Sequence, residues 1–518
     1  MLTQRRLKLS SKRFRVSLFE AALLTMFCLA VILRFYRLTH HSFWYDEGLS
    51  LMRSDGQTLS EVLATLNKTS FDKYQPTYFI GLFFWRGLFG DTEAVIRAFS
   101  VMLGLGSIAI TTLIALRLFG RHHALWTAAL MTVSAYHVYY SQEVRAYSLV
   151  MLLAALQLLL FSPLLVSGRR CSRDRIACFW LVTTLGILSS VFLFIFTLAI
   201  CCAHWLSIFR LKPWAKFWAP LFICAVPGLV FYSTSPYFYS VPYSLQKNLD
   251  VDLLQNLAFV GSGLLAGVTY LAPNDQLRGP ERLKVILGYW PHLSLLFGVV
   301  VILSTAVIRQ MVSNTRGAIP QSKPVVFLVW LIIASCVFSL LFAAATGMPW
   351  LPRHGAFIFF AIALLVPSTF CRPTMSRRID AVLRKAAIGA TVILMLMNGL
   401  ALRSYYFDPS YARDDYRAVA TYVNQHADAD TASILLWGNI RLLQYYGDTH
   451  TVSKWNLTGE NLVNQVSDVA GNSDQLLLLV NRERSQLNYS VEDALSDIYL
   501  LNDKITFRNF TIYQFQAR

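Results

Sequence analysis

Charge is scarce in this sequence. Only 14% of its 518 residues are Asp, Glu, Lys or Arg, against about 25% in a soluble domain. Hydrophobic residues make up 55%, and the mean hydropathy is +0.47. A soluble globular protein is excluded, and a polytopic α-helical membrane protein is expected. Acid is scarcer than base, with 29 Asp and Glu against 46 Lys and Arg, a net charge of +17. In a membrane protein such an excess gathers in cytoplasmic loops, so no nucleic-acid binding is read from it. The eight cysteines form no Cys-x-x-Cys pair and suggest no disulfide framework. No Gly-rich phosphate loop, no Ser-His-Asp order and no His-x-x-x-His spacing occurs, so nucleotide and zinc chemistry lack support. There is no internal repeat and no low-complexity segment. The basic N-terminus leads into an apolar run with no small-residue cleavage site behind it, which reads as an uncleaved first span.

Long apolar runs fill most of the remainder. Arg5, Arg6, Lys8, Lys12, Arg13 and Arg15 precede the run Val16–Leu33. The positive-inside rule puts them in the cytoplasm and residues 35–93 on the outer side. Within that loop Gln75–Gly90 is apolar but short and broken by Arg86, so it is expected to lie flat at the interface. Ala94–Leu118 crosses inward, Ala124–Tyr140 outward and Ser148–Val166 inward. Ile176–Phe209 has basic clusters at both ends. Two short helices turning near Ser189-Ser190 satisfy both clusters, where one crossing would strand one outside. Phe217–Tyr232 is expected to cross outward, and Leu253–Leu271 to be a surface or re-entrant helix in a long outer loop. Tyr289–Ile308, Val325–Ala345, Gly355–Phe370 and Ala386–Leu402 complete about eleven transmembrane helices, thirteen at most.

The composition changes at Arg403. Residues 1–402 read as the membrane domain and 403–518 as a small soluble α/β domain on the outer face. Tyr411–Gln425 reads as a helix, and Ala432–Trp437 and Gln475–Val480 as buried strands. Leu442–Tyr446 and Val491–Leu500 read as short helices, and Lys504–Phe515 as one or two closing strands.

Three outer loops then share one face. Residues 35–93 bring Asp46 and Glu47. The second, around 140–147, brings His137, Gln142, Glu143, Arg145 and Tyr147. The third brings Arg353 and His354. Carboxylates near a membrane are costly and mark sites. A carboxylate can take a proton from an alcohol, and an arginine can bind a phosphate through two parallel hydrogen bonds. Asp46 and Glu143 are also the pair that would hold a divalent cation, were one used. Plainer readings stand beside these. Asp46 and Glu47 would also serve as solvated residues or caps of a helix starting at Leu49. Arg353 would also serve as an interfacial arginine, and His137 as a hydrogen-bonded helix-end histidine. In an extended loop, neighbouring side chains point to opposite sides, so Glu47 is expected to matter less than Asp46.

Five pieces of sequence carry a resemblance. They are Trp44-Tyr45-Asp46-Glu47-Gly48, Tyr74-Gln75-Pro76-Thr77-Tyr78, Tyr140-Ser141-Gln142-Glu143-Val144-Arg145-Ala146-Tyr147, Pro352-Arg353-His354 and Asp414-Asp415-Tyr416-Arg417. In their order and topology the chain resembles the type C membrane glycosyltransferases. Within them it is most similar to the family that groups protein O-mannosyltransferases with bacterial lipid A aminoarabinose transferases. The resemblance implies an inverting transferase that uses a polyprenyl-phosphate sugar as donor and a lipid, glycan or protein hydroxyl as acceptor. It would sit among membrane lipids in a bacterial inner or plasma membrane, with its N-terminus cytoplasmic and its C-terminal domain extracytoplasmic. It also implies that Asp46 is the catalytic base and Glu143 the second acidic position. Arg145 and Arg353 would meet the phosphate, and His137, Glu47, Tyr78, Tyr147 and His354 join the substrate-binding candidates. Two departures are visible. Gln75-Pro76-Thr77 stands where His-Pro-Pro or Lys-Pro-Pro is common, and His354 stands where Tyr is common. Two other classes compete with this reading. A lipid or polysaccharide transporter would carry polar residues inside several spans, and a non-catalytic accessory protein of envelope glycan assembly would leave Asp46 dispensable.

Overall fold

The computed structural model describes residues 17–68, 75–166, 172–208, 253–273, 276–277, 281–315, 323–346, 350–371, 378–428, 430–448, 450–454, 459–471, 473–482 and 490–518. Helix α1 (Leu18–Phe35) starts at a capping box. The Glu20 N–H donates to Ser17 Oγ at 3.3 Å, and the Ser17 N–H donates to Glu20 Oε2 at 2.9 Å. Such a box satisfies two of the N–H groups a helix start leaves orphaned. Three short helices follow: α2 (Tyr45–Arg53), α3 (Leu59–Lys68) and α4 (Pro76–Phe89). The short helix expected over Gln75–Gly90 is present as α4, with Pro76 in its first turn, where a missing N–H costs nothing. The expected extended loop around Asp46 is corrected. Helix α2 begins at Tyr45, before Leu49, so Asp46 and Glu47 occupy its first turn, where the helix dipole favours acid.

Helix α5 (Glu93–Phe119) ends at Gly120, whose φ of 95° suits glycine, and α6 (Arg121–Val133) reverses at once. The single crossing expected over Ala124–Tyr140 is two helices, α6 and α7 (Ala135–Ser141), broken at Ser134. The break is satisfied on both sides. Ser134 Oγ accepts from the His137 N–H at 3.2 Å, and the Arg34 guanidinium of α1 donates to the Met131 and Thr132 carbonyls at 2.9 and 3.2 Å. Helices α8 (Tyr147–Phe161) and α9 (Pro163–Val166) follow. The expected hairpin is present as α10 (Arg173–Ile187) and α11 (Val191–Ile208), turning at Leu188–Ser190.

The expected crossing Phe217–Tyr232 lies outside the described residues. Beyond it come α12 (Leu253–Ala266), α13 (Arg282–Gly288), α14 (Trp290–Thr315), α15 (Lys323–Thr346), a 3-10 turn (Pro352–Gly355), α16 (Ala356–Ser368) and α17 (Arg378–Phe407). Among the described residues six helices are long and apolar enough to cross a membrane: α1, α5, α14, α15, α16 with its leading turn, and α17. The chain is an integral membrane protein. The higher count expected from the sequence would need the shorter apolar helices, such as α8 and α11, to cross as well. The described cysteines are all free.

The C-terminal part of the chain contains α18 (Tyr416–His426), β1 (Thr431–Leu436), α19 (Ile440–Tyr445), β2 (Thr451–Lys454), α20 (Gly459–Ala470), β3 (Gln475–Asn481), α21 (Val491–Leu495), β4 (Tyr499–Phe507) and β5 (Phe510–Ala517). Strand β2 and helix α20 were not expected, and the expected helix over Val491–Leu500 gives way to β4 at Tyr499. The sheet order is β2-β1-β3-β5-β4. Strand β1 pairs parallel with β2 and β3, while β5 pairs antiparallel with β3 and β4. Side chains alternate across a strand, and both faces of the central strands are covered. Ile434, Leu436, Leu476 and Leu478 pack with Leu462 and Val466 of α20. Leu435, Leu477 and Leu479 share a core with Tyr416, Val419 and Leu442 of α18 and α19. The α18–α19 side is also the one that meets α2 and the loop before it.

Candidate active site

Helix α2 is held by α19 and the segment before α18. Gly48 lies so close to α19 that an added Cβ would stand 2.5 Å from Asn439 Nδ2 and 2.6 Å from Leu442 Cγ. Asn439 Nδ2 donates to the Tyr45 carbonyl at 3.4 Å, and Tyr446 Oη accepts from the Phe43 N–H at 2.8 Å. Ser42 Oγ donates to the Asp414 carbonyl at 2.6 Å. Across the helix, Arg86 of α4 donates to Ser54 Oγ at 3.0 Å and to the Leu51 carbonyl at 3.2 Å.

This frame gives the two neighbouring carboxylates opposite surroundings. The Glu47 side chain is 0% exposed. Its carboxylate accepts from Arg97 Nη2 and Nε at 2.9 and 3.2 Å, from the Val144 N–H at 3.0 Å and from the Trp44 N–H at 3.3 Å. Arg413 Nη1 stands 3.4 Å away. Burial alone would raise the Glu47 carboxyl. The Arg97 and Arg413 charges and the hydrogen bonds from Arg97 and Val144 outweigh it, and the group lies below its usual range. Asp46 is 18% exposed, with Oδ2 3.6 Å from Arg353 Nη1. Arg353 comes from the 3-10 turn before α16. The Arg145 guanidinium lies beside it, with Nη1 3.5 Å from the Asp46 carbonyl and 3.4 Å from Ser50 Oγ.

Glu143 and Arg145 sit in the turn between α7 and α8. Gln142 anchors that turn. Its Nε2 donates to the Arg34 and Tyr36 carbonyls at 2.8 and 3.0 Å, and its Oε1 accepts from Tyr405 Oη at 2.8 Å. The Glu143 side chain is 2% exposed, with Arg413 Nη2 3.6 Å from its Oε2. Burial pushes its carboxyl up to about 7. Arg413 opposes the rise, and Glu47 and Asp46 add to it. Of the three carboxylates, only Asp46 is partly open.

The three expected loops therefore meet, and Asp46, Glu47, Glu143, Arg145 and Arg353 come together. Tyr147 opens α8 with its ring edge-on to Tyr140 at 5.0 Å. Three other candidates are engaged elsewhere. His137 Nδ1 accepts from Arg34 Nη2 at 2.9 Å, and its Nε2 lies 2.8 Å from Ser107 Oγ. It is a buried histidine tying α1 and α5 to α7. Tyr78 is buried, with its hydroxyl 2.7 Å from Ser100 Oγ. His354 stacks on Phe192 at 4.9 Å, and its Nδ1 accepts from the Leu351 N–H at 3.2 Å. Sequence reasoning missed Arg97 and Arg413. Arg97 carried one signal, as an arginine just inside a span. Arg413 carried none, because its partners are remote in the chain. Among the described residues no three His, Cys, Asp or Glu side chains cluster as a metal ion would require.

This arrangement offers one accessible carboxylate beside two guanidiniums. The carboxylate can accept a proton, and the guanidiniums can face an anion.

No protein-family model matches the sequence, and no curated protein matches it. Solved structures do. ArnT from Cupriavidus metallidurans in the apo state is 13% identical, with a TM-score of 0.54 over 96% of this chain and 97% of that one. The same protein bound to undecaprenyl phosphate aligns at a TM-score of 0.53, again 13% identical over 96% and 97% of the two chains. The fold is that of these structures, the type C fold of membrane glycosyltransferases.

Proposed function

We propose that this protein is an inverting glycosyltransferase that moves a sugar from a polyprenyl-phosphate donor to an acceptor hydroxyl. The observation that carries this reading is Asp46. It is the partly open carboxylate of the three, with the Arg353 guanidinium 3.6 Å from it and Arg145 over its own main chain. The shared fold supports the donor class, since one of the two ArnT structures holds undecaprenyl phosphate.

Asp46 takes the proton of the acceptor hydroxyl as its oxygen attacks the anomeric carbon. The bond from that carbon to the phosphate oxygen breaks, and the electron pair leaves with the lipid phosphate. One displacement inverts the carbon. Arg145 and Arg353 stabilise the charge that grows on the departing phosphate, and forked guanidiniums suit phosphate geometry. The energy is in the donor's phosphoester, so no nucleotide takes part. Glu47 holds α2 in place through Arg97. The acceptor is a lipid, glycan or protein hydroxyl. The membrane is a bacterial inner or plasma membrane, with the N-terminus in the cytoplasm and the C-terminal domain outside, as the basic clusters direct.

The test uses purified Asp46→Asn protein, with donor binding and sugar transfer measured on the same sample. Asn keeps the size and cannot take the proton. Transfer should fall about 10²–10⁴-fold, the usual span for acid–base catalysis, while donor binding survives. Near-normal transfer by Asp46→Asn would end the assignment. Mass spectrometry of lipids, glycans and proteins from cells with and without the chain would then name the acceptor.

A further inference from the structure

The segment between α17 and α18 is clamped on both sides of Arg413. Arg508 Nε donates to the Ala412 carbonyl at 3.1 Å, and Asn509 Nδ2 donates to Asp414 Oδ1 at 2.7 Å. Both come from the turn between β4 and β5. Ser42 Oγ, from the loop before α2, takes the Asp414 carbonyl at 2.6 Å. The clamp fixes where the Arg413 side chain enters the site.

That side chain is 7% exposed, with Nη1 3.4 Å from Glu47 Oε2 and Nη2 3.6 Å from Glu143 Oε2. The guanidinium carbon lies 4.7 Å from the Tyr139 ring centroid and 5.7 Å from that of Trp44, within cation–π range. Among the described residues Nε and Nη2 have no hydrogen-bond acceptor. Two carboxylates and two rings therefore hold the charge. Glu47 keeps Arg97 if Arg413 is removed. Glu143 does not, because among the described residues Arg413 is its one ion-pair partner.

We propose that Arg413 is a positioning residue of this site, bridging Glu47 of α2 to Glu143 of the α7–α8 turn, and that the C-terminal domain thereby completes the site. Arg413 touches neither donor nor acceptor in this scheme. It sets the distance between α2, which carries Asp46, and the turn that carries Arg145. The inference rests on the transferase reading only for its effect on turnover.

Glu143 reports on the bridge. The charged groups that face it are Arg413, Glu47 and Asp46 of α2, Arg145 of its own turn and Arg353 of the turn before α16. Tyr78 of α4, Tyr136, Tyr139 and Tyr140 of α7, Tyr147 of α8 and Tyr405 of α17 also couple to it electrostatically. Arg413 holds the Glu143 carboxyl down, and losing a cation this close moves a carboxyl up by about one unit or more.

The experiment is an infrared pH titration of the full chain in detergent, with the Glu143 carboxyl band assigned by Glu143→Gln. Arg413→Ala should raise the midpoint by about one unit or more, and Arg413→Lys should bring most of it back. Asn509→Gly should raise it partway, since glycine keeps the turn, where Asn509 has φ 61°, and removes the Asp414 clamp. In transfer, Arg413→Ala should lower kcat roughly 10²-fold, as small misplacements do, with donor binding little changed. Should Arg413→Ala fail to fold, the Arg413→Gln and Asn509→Gly variants, both of which should raise the midpoint, carry the test. An unmoved midpoint, or one moved toward the ordinary carboxylate value, overturns the proposal. The titration needs no turnover, so wild-type protein without transfer would refute the transferase reading and leave this inference standing on the midpoint.

Discussion

Glu47→Gln should be among the most damaging single-atom changes in this protein, although Glu47 is not assigned the chemistry. Glutamine replaces one carboxylate oxygen with an NH₂ group. Every group aimed at Glu47 is a donor: Arg97 Nε and Nη2, the Val144 N–H and the Trp44 N–H. Each carboxylate oxygen accepts two of these bonds, so two of the donors would then face another donor. The negative charge between Arg97 and Arg413 also disappears, and both arginines are buried, 2% and 7% exposed. Arg97 keeps Glu93 at 2.9 Å, and among the described residues Glu143 is the one ion-pair partner left to Arg413. Breaking a buried pair by removing one partner costs about 3–5 kcal/mol, a large share of a net stability of about 5–15 kcal/mol. Asp46→Asn is the control. Its ion pair is long and partly wetted, a kind worth about 0–1 kcal/mol. The assay is unfolding of wild type and both variants in the same detergent at one pH. Glu47→Gln should lose several kcal/mol and Asp46→Asn almost none. A Glu47→Gln protein within about 1 kcal/mol of wild type would refute the reasoning, and so would the reverse order of the two variants.

Gly48→Ala should cost about 1–3 kcal/mol through overpacking, because the new methyl meets Asn439 and Leu442; limited proteolysis should show a C-terminal domain that comes loose more readily. The Glu143 carboxyl rises from 4.5 to about 7 on folding, so its contribution is favourable below pH 4.5 and is lost as pH climbs to 7. At 1.36 kcal/mol per unit the loss is about 3 kcal/mol, read as the change with pH in the stability difference between wild type and Glu143→Gln. Parallel curves for the two proteins would count against it. Arg145→Ala should weaken donor turnover far more than folding, and Arg145→Lys should rescue only part, since lysine lacks the planar fork; normal donor kinetics for Arg145→Ala would remove it from the site.

Much of the membrane domain could be read in advance because charge is expensive in lipid. The basic clusters around Ile176–Phe209 demanded a hairpin, and α10 and α11 turn beside Ser189-Ser190. Pro76 marked the start of α4. The start of α2 was hidden because Trp44 and Tyr45 carry no capping side chain. Its signal is Glu47 reaching back to the Trp44 N–H, which looks like any acidic residue in a line of letters. Arg97 was hidden in another way. Glu93 and Arg97 are spaced like an ordinary surface pair on a helix, yet Arg97 turns inward to Glu47. The sequence could not show that His137 and Tyr78 are engaged by Arg34, Ser107 and Ser100, because those partners come from other elements. Strand β2 is four residues long, too short to show a period.

The contact between Ser42 and Asp414 spans 372 residues of chain. A ribosome adds about 5–20 residues per second, so roughly 20–75 seconds separate the synthesis of its two halves. During that interval the first loop has emerged, and Arg97 follows it closely enough to neutralise Glu47. Among the described residues Glu143 has Arg145 nearby but no ion-pair partner that early, and it must wait, wet or protonated, for Arg413. The surface around Gly48 that α19 will cover is bare for the same time. The nascent protein thus passes through a stage in which its spans are threaded and its first loop is still unfinished. A protease or chaperone at the membrane could tell such a chain from a finished one by that loop alone.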